Sequence, residues 1–190
     1  DLAKEAYETA FDHDPLMIDA YNGLGEIYLH ENQLDSAKFY LQEAIRYSPG
    51  IAASHHNLGV AELLDNKFGK AIKKFEAALE VDSCFAPSNV TMAIVHILKD
   101  HFPKATKELE EAIACDYQTA SLYYWKAILR TMKYRYKDSM VEINKAIEKD
   151  PENPLYLSTR GNIFIKLKAY RNAIGDFTKA FKINPVRGEN

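Results

Sequence analysis

The chain has 190 residues, of which 47% are apolar and 27% are charged, and its formal net charge is −3. This length and apolar content allow a substantial core without a metal or disulfide staple. The small negative charge argues against a nucleic-acid partner, and the absence of a long apolar run argues against membrane insertion. Cys84 and Cys115 are the only cysteines, and we expect both to be free thiols in a reducing compartment.

A pattern of aromatic, small and apolar residues recurs every 34 residues along the chain. Its clearest copy, residues 18–51, runs from Tyr21 to Pro49 and predicts a helix over 18–31, a short turn and a helix over 34–47. Residues 1–15 match only the second half of the pattern and predict one preceding helix. Full copies follow at 52–85, 86–119, 120–153 and 154–187, which gives eleven predicted helices and no strand.

Small residues stand at three fixed positions of this repeat and would let neighbouring helices approach closely. With residue 18 as position 1, position 8 is Gly25, Gly59, Ala93, Ala127 and Gly161. Position 20 is Ala37, Ala71, Ala105, Ser139 and Ala173, and position 27 is Ala44, Ala78, Ala112, Ala146 and Ala180. Larger groups are expected to fill the space between helices from position 24 (Leu41, Phe75, Leu109, Ile143, Phe177) and position 28 (Ile45, Leu79, Ile113, Ile147, Phe181).

The prolines support the predicted helix ends. Four lie at position 32, just after a second helix, where proline ends a helix without breaking it: Pro15, Pro49, Pro151 and Pro185. The other three lie in first turns, where the missing N–H has no intrahelical partner to lose: Pro87, Pro103 and Pro154. None falls in the interior of a predicted helix, beyond the first turn, where it would cost about 3 kcal/mol.

The spacing and these residues resemble the tetratricopeptide repeat (TPR) family, whose unit is a helix-turn-helix of 34 residues. The resemblance implies an all-α fold, a right-handed α-solenoid or superhelix of stacked antiparallel helix pairs. We expect residues 1–190 to form a single TPR domain with a half repeat at 1–15 and five full repeats. Because the chain begins within a repeat and no polar capping helix follows the last one, we expect the parent protein to continue on both sides.

Residues of the types used in catalysis or metal binding are better explained by structural roles. His55 and His56 are adjacent, so on a helix they point about 100° apart, and with His96 they are predicted to be packing residues, not metal ligands. The acids Glu108, Glu110, Glu111 and Glu142 are expected on solvated helix faces, and Arg160 is expected to pair with Asp176. The basic residues Lys126, Arg130, Lys133, Arg135 and Lys137 are not expected to bind nucleic acid. We predict no enzymatic activity, no cofactor and no metal.

The family resemblance implies a non-enzymatic scaffold for protein–protein interaction within a multiprotein assembly. The alternative is that the chain is the targeting arm of a larger enzyme, such as a transferase, phosphatase or prolyl isomerase. A relative that grips chaperone C-terminal tails needs lysine, arginine and asparagine at five positions. Here those positions hold Asn22, Glu26, Asn57, Pro87 and Thr91, and only Asn57 fits, which argues against such a partner. We expect a cytoplasmic location. The alternative is a cilium or another large intracellular assembly.

In this family the concave groove is lined by positions 2, 5, 9, 12 and 13 of the first helices. These positions are mostly polar in repeats 1 and 5 and mostly apolar in repeats 2 to 4. An apolar strip with polar edges is typical of a binding site for an amphipathic helix. The candidate partner-binding residues are His56, Val60, Leu63, Leu64, Val90, Ile94, Ile97, Leu98, Tyr124, Ile128 and Met132. The partner would be a peptide or helix from another protein, or from the same chain outside this sequence.

Overall fold

The computed structural model describes Tyr7, Thr9 and residues 18–185. The predicted half repeat at 1–15 therefore lies almost wholly outside the described residues, although Tyr7 and Thr9 are both helical. The described part contains ten α-helices and no strand: α1 (Ile18–His30), α2 (Leu34–Tyr47), α3 (Ala52–Leu64), α4 (Phe68–Val81), α5 (Ala86–Leu98), α6 (Phe102–Ala114), α7 (Ala120–Met132), α8 (Tyr136–Lys149), α9 (Pro154–Lys166) and α10 (Tyr170–Ile183).

The helices form successive antiparallel pairs, so the predicted all-α fold class is confirmed. Helix α1 packs on α2, α3 on α4, α7 on α8 and α9 on α10. Each first helix ends one residue earlier than predicted, and four of the five second helices have the predicted bounds. None of the described helices is long and apolar enough to cross a membrane.

The turn inside each helix pair has one shape throughout the described repeats. Position 15 has a positive φ in every copy, from 56° to 61°, in Asn32, Asn66, Asp100, Tyr134 and Lys168. This left-handed residue closes the first helix with two extra backbone hydrogen bonds, for example Asn32 N to Leu29 O at 3.0 Å and Gln33 N to Tyr28 O at 2.8 Å. Asparagine and aspartate adopt this conformation most readily, so Tyr134 and Lys168 are the costlier occupants of the position.

Helix α6 is the second helix that departs from its predicted bounds. It ends at Ala114, one residue early, and Asp116 has a φ of 57°. The backbone N–H of Asp116 donates to Ile113 O at 2.9 Å and that of Tyr117 donates to Ala112 O at 3.1 Å. Tyr117 occupies position 32, where a proline could not donate this bond. The substitution at position 32 therefore permits a different helix end.

Packing at the small positions follows the expected pattern with one refinement. The position-20 residues are at most 2% exposed and the position-27 residues at most 5%. A Cβ added to Gly59 would lie 2.6 Å from Cε1 of Phe75, and one added to Gly161 would lie 2.8 Å from Cε1 of Phe177. The glycine thus makes room for the position-24 ring of the same repeat. Both phenylalanines at position 24 face a glycine, whereas the repeats with Ala93 and Ala127 carry Leu109 and Ile143 there.

Ser139 is the polar exception among the position-20 alanines. It is fully buried, and its Oγ donates to the carbonyl oxygen of Ala127 at 2.8 Å. Ala127 is the position-8 residue of the same repeat, so this bond ties α7 to α8. A buried hydroxyl with a partner avoids the cost of an unsatisfied polar group, which explains why serine is tolerated where the other repeats have alanine.

The chain divides into two compact units, Asp1–Val95 and His96–Asn190, with the boundary inside α5. In the first unit, Met92 packs with Ala71 and Phe75 in one core cluster. In the second unit, Ala127, Ile143 and Ala146 form a core with Tyr156 and Ile163. The expectation of a single domain over 1–190 stays a prediction.

The prediction of free thiols is wrong, because Cys84 and Cys115 are both disulfide-bonded. Whether cysteines can bond depends on the distance between their Cα atoms. Neither composition nor cysteine count contains that distance.

Candidate interaction surface

The first helices of repeats 1 and 2 are joined by two polar contacts, each of which includes one groove position of repeat 1, Asn22 or Glu26. Ser54 Oγ donates to Asn22 Oδ1 at 2.6 Å, and Asn57 Nδ2 donates to Glu26 Oε1 at 2.8 Å. Ser54 is fully buried. Asn57, the one residue that fits the chaperone-tail motif, is thus already paired with an acid from α1. These polar contacts hold α1 against α3.

His56 is a packing residue with one polar contact. Its ring lies 5.3 Å from that of Phe75 and 5.5 Å from that of Phe85, between centroids. Its Nδ1 lies 3.1 Å from Ser88 Oγ. Burial lowers the pKa of His56 to about 4, so the side chain is neutral at pH 7. His56 therefore packs in the protein interior and offers little surface to a partner.

The apolar candidates on α3 differ in exposure. Val60 and Leu63 are half-buried and pack against the cluster of Ala71, Phe75 and Met92. Leu64, at position 13, is 48% exposed. Of the apolar candidates on this helix, Leu64 is therefore the one that is exposed to solvent.

Helix α5 shows the same contrast more sharply. Val90 is 6% exposed and Ile97 is 3% exposed, so both are core residues and offer no surface to a partner. Ile94 is half-buried. Leu98, at position 13, is 64% exposed. Positions 5 and 12 of this repeat face the packed interior, which the family pattern did not reveal.

On α7, Tyr124 packs toward the next repeat. Its ring lies 5.3 Å from that of Tyr156 between centroids, and its hydroxyl is hydrogen-bonded to Thr159. Burial raises the pKa of Tyr124. Ile128 is half-buried and Met132 is 39% exposed. Among the eleven candidates, the three exposed side chains are those at position 13: Leu64, Leu98 and Met132.

Two ion pairs organise charged residues of the second unit. Arg160 Nε lies 2.7 Å from Asp176 Oδ2, which confirms the predicted pair, and Arg160 Nη1 also donates to Asn144 Oδ1 at 3.0 Å. Lys126 Nζ lies 3.1 Å from Glu142 Oε1. The expectation that Glu142 is solvated is wrong, because its side chain is only 12% exposed in this pair. Lysine at position 7 reaches the acid at position 23 of its own repeat.

Most of the basic residues from Lys126 to Lys137 have protein partners. Lys133 Nζ donates to Thr106 Oγ1 at 3.1 Å, and Arg135 Nε lies 2.6 Å from Asp138 Oδ2. Tyr136 packs against the core of its unit. These contacts give the basic residues structural roles in addition to their charge.

His55 and His96, like His56, lie against the protein instead of being free in solvent. His55 Nε2 lies 2.9 Å from the carbonyl oxygen of Pro49, and His96 is 7% exposed. Burial, with a smaller effect from neighbouring Lys104 and His101, lowers the pKa of His96. Across the described residues, no group of three or more His, Cys, Asp or Glu side chains is placed to hold a metal ion.

A lysine network in the first unit was missed by sequence reasoning. Lys38 Nζ on α2 contacts Asp65 and lies 3.9 Å from Glu62 Oε2, and Lys67 Nζ lies 2.7 Å from Asp65. The paired lysines hold the pKa of Asp65 down, to about 2. The sequence does contain a signal for this network. Position 11 is Tyr28 in repeat 1 but Glu62 in repeat 2, and a carboxylate at this position needs a cation close by.

The helix pairs described above define the class of the protein: a helical-repeat protein built from 34-residue units. Residues 18–51 match the family model described as "Tetratricopeptide repeat". No curated protein sequence matches the chain. The repeated helix pairs, the left-handed turns and the small positions agree with that match, so the chain has the fold of tetratricopeptide-repeat proteins, as its sequence predicted.

Solved structures agree on the fold. A chain of the APC/C hetero-tetramer Cut9–Hcn1 has a TM-score of 0.86 at 14% identity, over 94% of this chain and 36% of that one. PilF of Pseudomonas aeruginosa has a TM-score of 0.79 at 19% identity, over 91% of this chain and 78% of its own. YrrB, a TPR protein with an unusual peptide-binding site, has a TM-score of 0.64 at 16% identity, over 97% of this chain and 95% of its own. This chain thus spans about a third of the Cut9–Hcn1 match, and identities this low bear on fold alone.

Proposed function

We propose that the chain is a non-enzymatic scaffold that binds a peptide or amphipathic helix of a partner protein on the first helices of its repeats. Helical repeats present extended surfaces of this kind for recognition. The proposal is made for each compact unit by itself. In the first unit the surface consists of Leu64 with Val60 and Ile94, and in the second of Leu98, Ile128 and Met132.

The observation that carries the proposal is the contrast between paired polar and exposed apolar side chains on the first helices. Asn22, Glu26 and Asn57 already form hydrogen bonds between repeats, so these polar side chains have a structural role at their junction. Leu64, Leu98 and Met132 are 48%, 64% and 39% exposed. Burying such side chains under a partner is favourable, because each fully buried aliphatic contact contributes about 1.5–3 kcal/mol before ordering costs.

These features favour an apolar-faced helix over a charged tail. A helix offers apolar side chains at spacings of three and four residues, which suit well-separated exposed side chains on neighbouring helices. The peptide-binding site named for YrrB belongs to a protein of the same fold, and that precedent supports a peptide ligand.

Disulfides are rare in the cytosol, so the bonded state of Cys84 and Cys115 no longer favours the cytoplasmic location predicted from the sequence.

A display library of amphipathic helical peptides selected against the full 190-residue chain tests the proposal. Affinities of the selected peptides are then measured by fluorescence anisotropy for the wild type, Leu64→Asp and Met132→Asp. Both residues are exposed, so the circular dichroism spectrum should not change. We expect the affinity to fall at least about tenfold in one of the two variants, because a carboxylate would be desolvated in the complex.

Val141→Asp is the matched control, because Val141 is 55% exposed on the second helix α8. Its affinity should stay within about twofold of the wild type. Peptides that bind both first-helix variants as tightly as the wild type would place the surface elsewhere. Failure to select any helical peptide would also count against the proposal.

A further inference from the structure

The two compact units differ in charge, although the net charge of the chain is small. Residues 1–95 contain 7 lysines and arginines and 15 aspartates and glutamates, a formal net charge of −8. Residues 96–190 contain 17 and 12 of them, a formal net charge of +5. Charge asymmetry between two parts of one chain is typical of a surface that binds a charged partner. The second unit is therefore the candidate for a site that binds acidic groups.

The positive charge of the second unit is concentrated in the turns inside its helix pairs. Positions 14–19 of repeats 3, 4 and 5 are residues 99–104, 133–138 and 167–172, and together they hold seven lysines and arginines and two aspartates. These turns thus account for the whole net charge of +5. The turns between repeats, at 115–119 and 149–153, hold one lysine and three acids. The two sets of turns in this unit therefore carry charges of opposite sign.

Contacts within the second unit place its three basic turns side by side. Lys133 Nζ donates to Thr106 Oγ1 at 3.1 Å, which joins the turn of repeat 4 to the start of α6. Tyr136 and Leu167 pack against the same core cluster, which joins the turn of repeat 4 to that of repeat 5. The three turns thus form one surface, residues 99–104, 133–138 and 167–172, which we call the basic edge.

The repeat itself does not require positive charge at these positions. In the first unit, positions 14–19 are residues 31–36 and 65–70, and they hold two lysines and three acids. Both units have the same left-handed turn at position 15. The turn therefore forms with either sign of charge, and the cations of the basic edge need another explanation.

Three of these cations stand where the helix disfavours them. Lys104 is the third residue of α6, and Lys137 and Arg171 are the second residues of α8 and α10. The first turn of a helix carries a partial positive charge, so a cation there is unfavourable by about 0.3–1 kcal/mol. All three side chains are exposed, and none forms an ion pair with a described residue. Helix stability therefore does not explain them.

Tyr134 adds an exposed aromatic ring to the basic edge. It is 80% exposed, more than any other large hydrophobic side chain of the described residues, and its φ is 57°. Lys133 and Arg135 flank it in the sequence. A bulky residue in the left-handed region is strained, and such strain is found mainly at functional sites. Exposed tyrosine and arginine are also the residues that contribute most at protein interfaces.

A buried histidine reports the positive potential at this edge. Burial lowers the pKa of His96, and the nearby Lys104, His101 and Lys99 lower it further. A cation close to an imidazole opposes its protonation. The same potential would attract carboxylates to the basic edge.

The distribution of charge favours a short acidic segment over a nucleic acid or an anionic membrane. Both of those partners extend well beyond three turns, and the unit that continues from this one through α5 carries a net charge of −8. That charge repels an extended polyanion. A segment whose charges are confined to the basic edge experiences less of this repulsion, because salt screens charges more than about 8 Å away.

We propose that the basic edge binds a short acidic segment of a partner protein, in which aspartates or glutamates flank an aromatic or apolar residue that contacts Tyr134. This site goes beyond the first-helix surface, because none of the candidate residues of that surface lies in the basic edge.

The test uses the full 190-residue chain and a fluorescein-labelled peptide in which glutamates and serines alternate around one central tyrosine. We expect saturable binding by fluorescence anisotropy at low salt, and an affinity that falls as salt is added. The same peptide with lysine in place of each glutamate should bind at least about tenfold more weakly.

A double charge reversal, Lys137→Glu with Arg171→Glu, should raise the dissociation constant of the glutamate peptide at least about tenfold, because two attractions become repulsions. This edge variant should melt no lower than the wild type, since acids are favourable in the first turn of a helix. Lys179→Glu with Lys182→Glu is the matched control: both lysines are exposed beyond the first turn of α10, and the net charge changes equally. Its dissociation constant should stay within about threefold of the wild type.

Tyr134→Asn tests the aromatic ring separately. Asparagine occupies the same position in the first unit, in Asn32 and Asn66, and it adopts a positive φ more readily than tyrosine. The variant should therefore melt no lower than the wild type, while the dissociation constant of the glutamate peptide rises at least about threefold. An unchanged dissociation constant would refute the contact with Tyr134.

The proposal is overturned if the glutamate peptide does not bind, if the lysine peptide binds as tightly, or if the control variant weakens binding as much as the edge variant. An oligouridine or phosphatidylserine vesicles that bind more tightly than the peptide, and lose this binding in the edge variant, would also overturn it. So would self-association in sedimentation velocity that the edge variant abolishes and the peptide does not compete with, which would identify a second copy. Leu64→Asp should leave peptide binding unchanged, so this proposal and the first-helix proposal fail separately.

Discussion

The junction between repeats 1 and 2, inside the first unit, and the junction between repeats 4 and 5, inside the second, share their small residues and differ in their polar chemistry. Ala44 and Ala146 are both fully buried at position 27. The first junction adds neutral or singly charged hydrogen bonds, from Ser54 to Asn22 and from Asn57 to Glu26. The second adds the ring contact of Tyr124 with Tyr156 and the hydrogen bond from Arg160 Nη1 to Asn144 Oδ1.

This difference separates what the repeat requires from what it tolerates. Alanine at position 27 is common to all five repeats, because a larger side chain would separate the helices. The polar and aromatic side chains around it vary, since several kinds of contact satisfy the same spacing. Arg160, which donates to Asn144 across the second junction, also pairs with the buried Asp176 of its own repeat, and losing one partner of such a pair is costly.

The largest expected effect comes from breaking that buried pair. Arg160→Met leaves Asp176, 8% exposed, without its cation, and should lower the free energy of unfolding by about 3–5 kcal/mol. Arg135→Met is the control, because Arg135 and Asp138 pair with side chains 55% and 47% exposed, where a pair is worth about 0–1 kcal/mol. Urea denaturation measures both. Equal losses of the free energy of unfolding would mean that the Arg160–Asp176 pair stabilises the protein no more than the exposed Arg135–Asp138 pair.

The shared small position should be equally intolerant at both junctions. Ala44→Leu and Ala146→Leu should each cost about 1–3 kcal/mol, because the added side chain has no space and the helices must move apart. Thermal unfolding of the two variants gives the comparison. A variant that melts at or above the wild-type temperature would show that the assigned repeat register is wrong at that junction.

The first unit should lose stability in mild acid. The folded-state pKa of His56 is about 4, below the unfolded value of about 6.5. The unfolded chain therefore binds the proton first, so the contribution is present above pH 6.5 and is lost as the pH falls toward 4. Between pH 7 and 5 the free energy of unfolding should fall by about 1–2 kcal/mol from this group.

His56→Gln should remove much of this pH dependence, because glutamine does not titrate. His30→Gln is the control, since His30 is exposed on α1, and its pH profile should follow the wild type. Denaturant titrations at several pH values distinguish the two. A profile unchanged by His56→Gln would assign the acid sensitivity to other groups.

The smallest effect is expected at the hydrogen-bonded junction. Asn22→Ala leaves the fully buried Ser54 hydroxyl without its acceptor at 2.6 Å, which should cost about 1 kcal/mol. Asn162→Ala, on the exposed side of α9, should change stability by less than about 0.5 kcal/mol. If Asn22→Ala is as silent as Asn162→Ala, the bond contributes nothing to the junction.

The 34-residue period was enough to predict the helices and the small positions, because these follow from spacing along each helix. The Arg160–Asp176 pair joins the two helices of one repeat, and it was predicted because a charge at position 7 needs an acid nearby. The burial of Val90 and Ile97 could not be predicted, since it depends on how far each helix is covered by its neighbours. The bonded cysteines needed a three-dimensional distance. The early end of α6 had a signal in Tyr117, which replaces the expected proline. The burial of Glu142 had a signal in Lys126, because position 7 carries a charge in this repeat and an apolar residue in the first three repeats.

Hydrogen exchange of the full chain with and without a peptide selected against it is the most direct test of the proposed first-helix surface, because it locates the bound surface without any substitution. We predict slower amide exchange in the first helices α3, α5 and α7, at residues 52–64, 86–98 and 120–132. Protection confined to the second helices α4, α6 and α8, or to the turns, would contradict it.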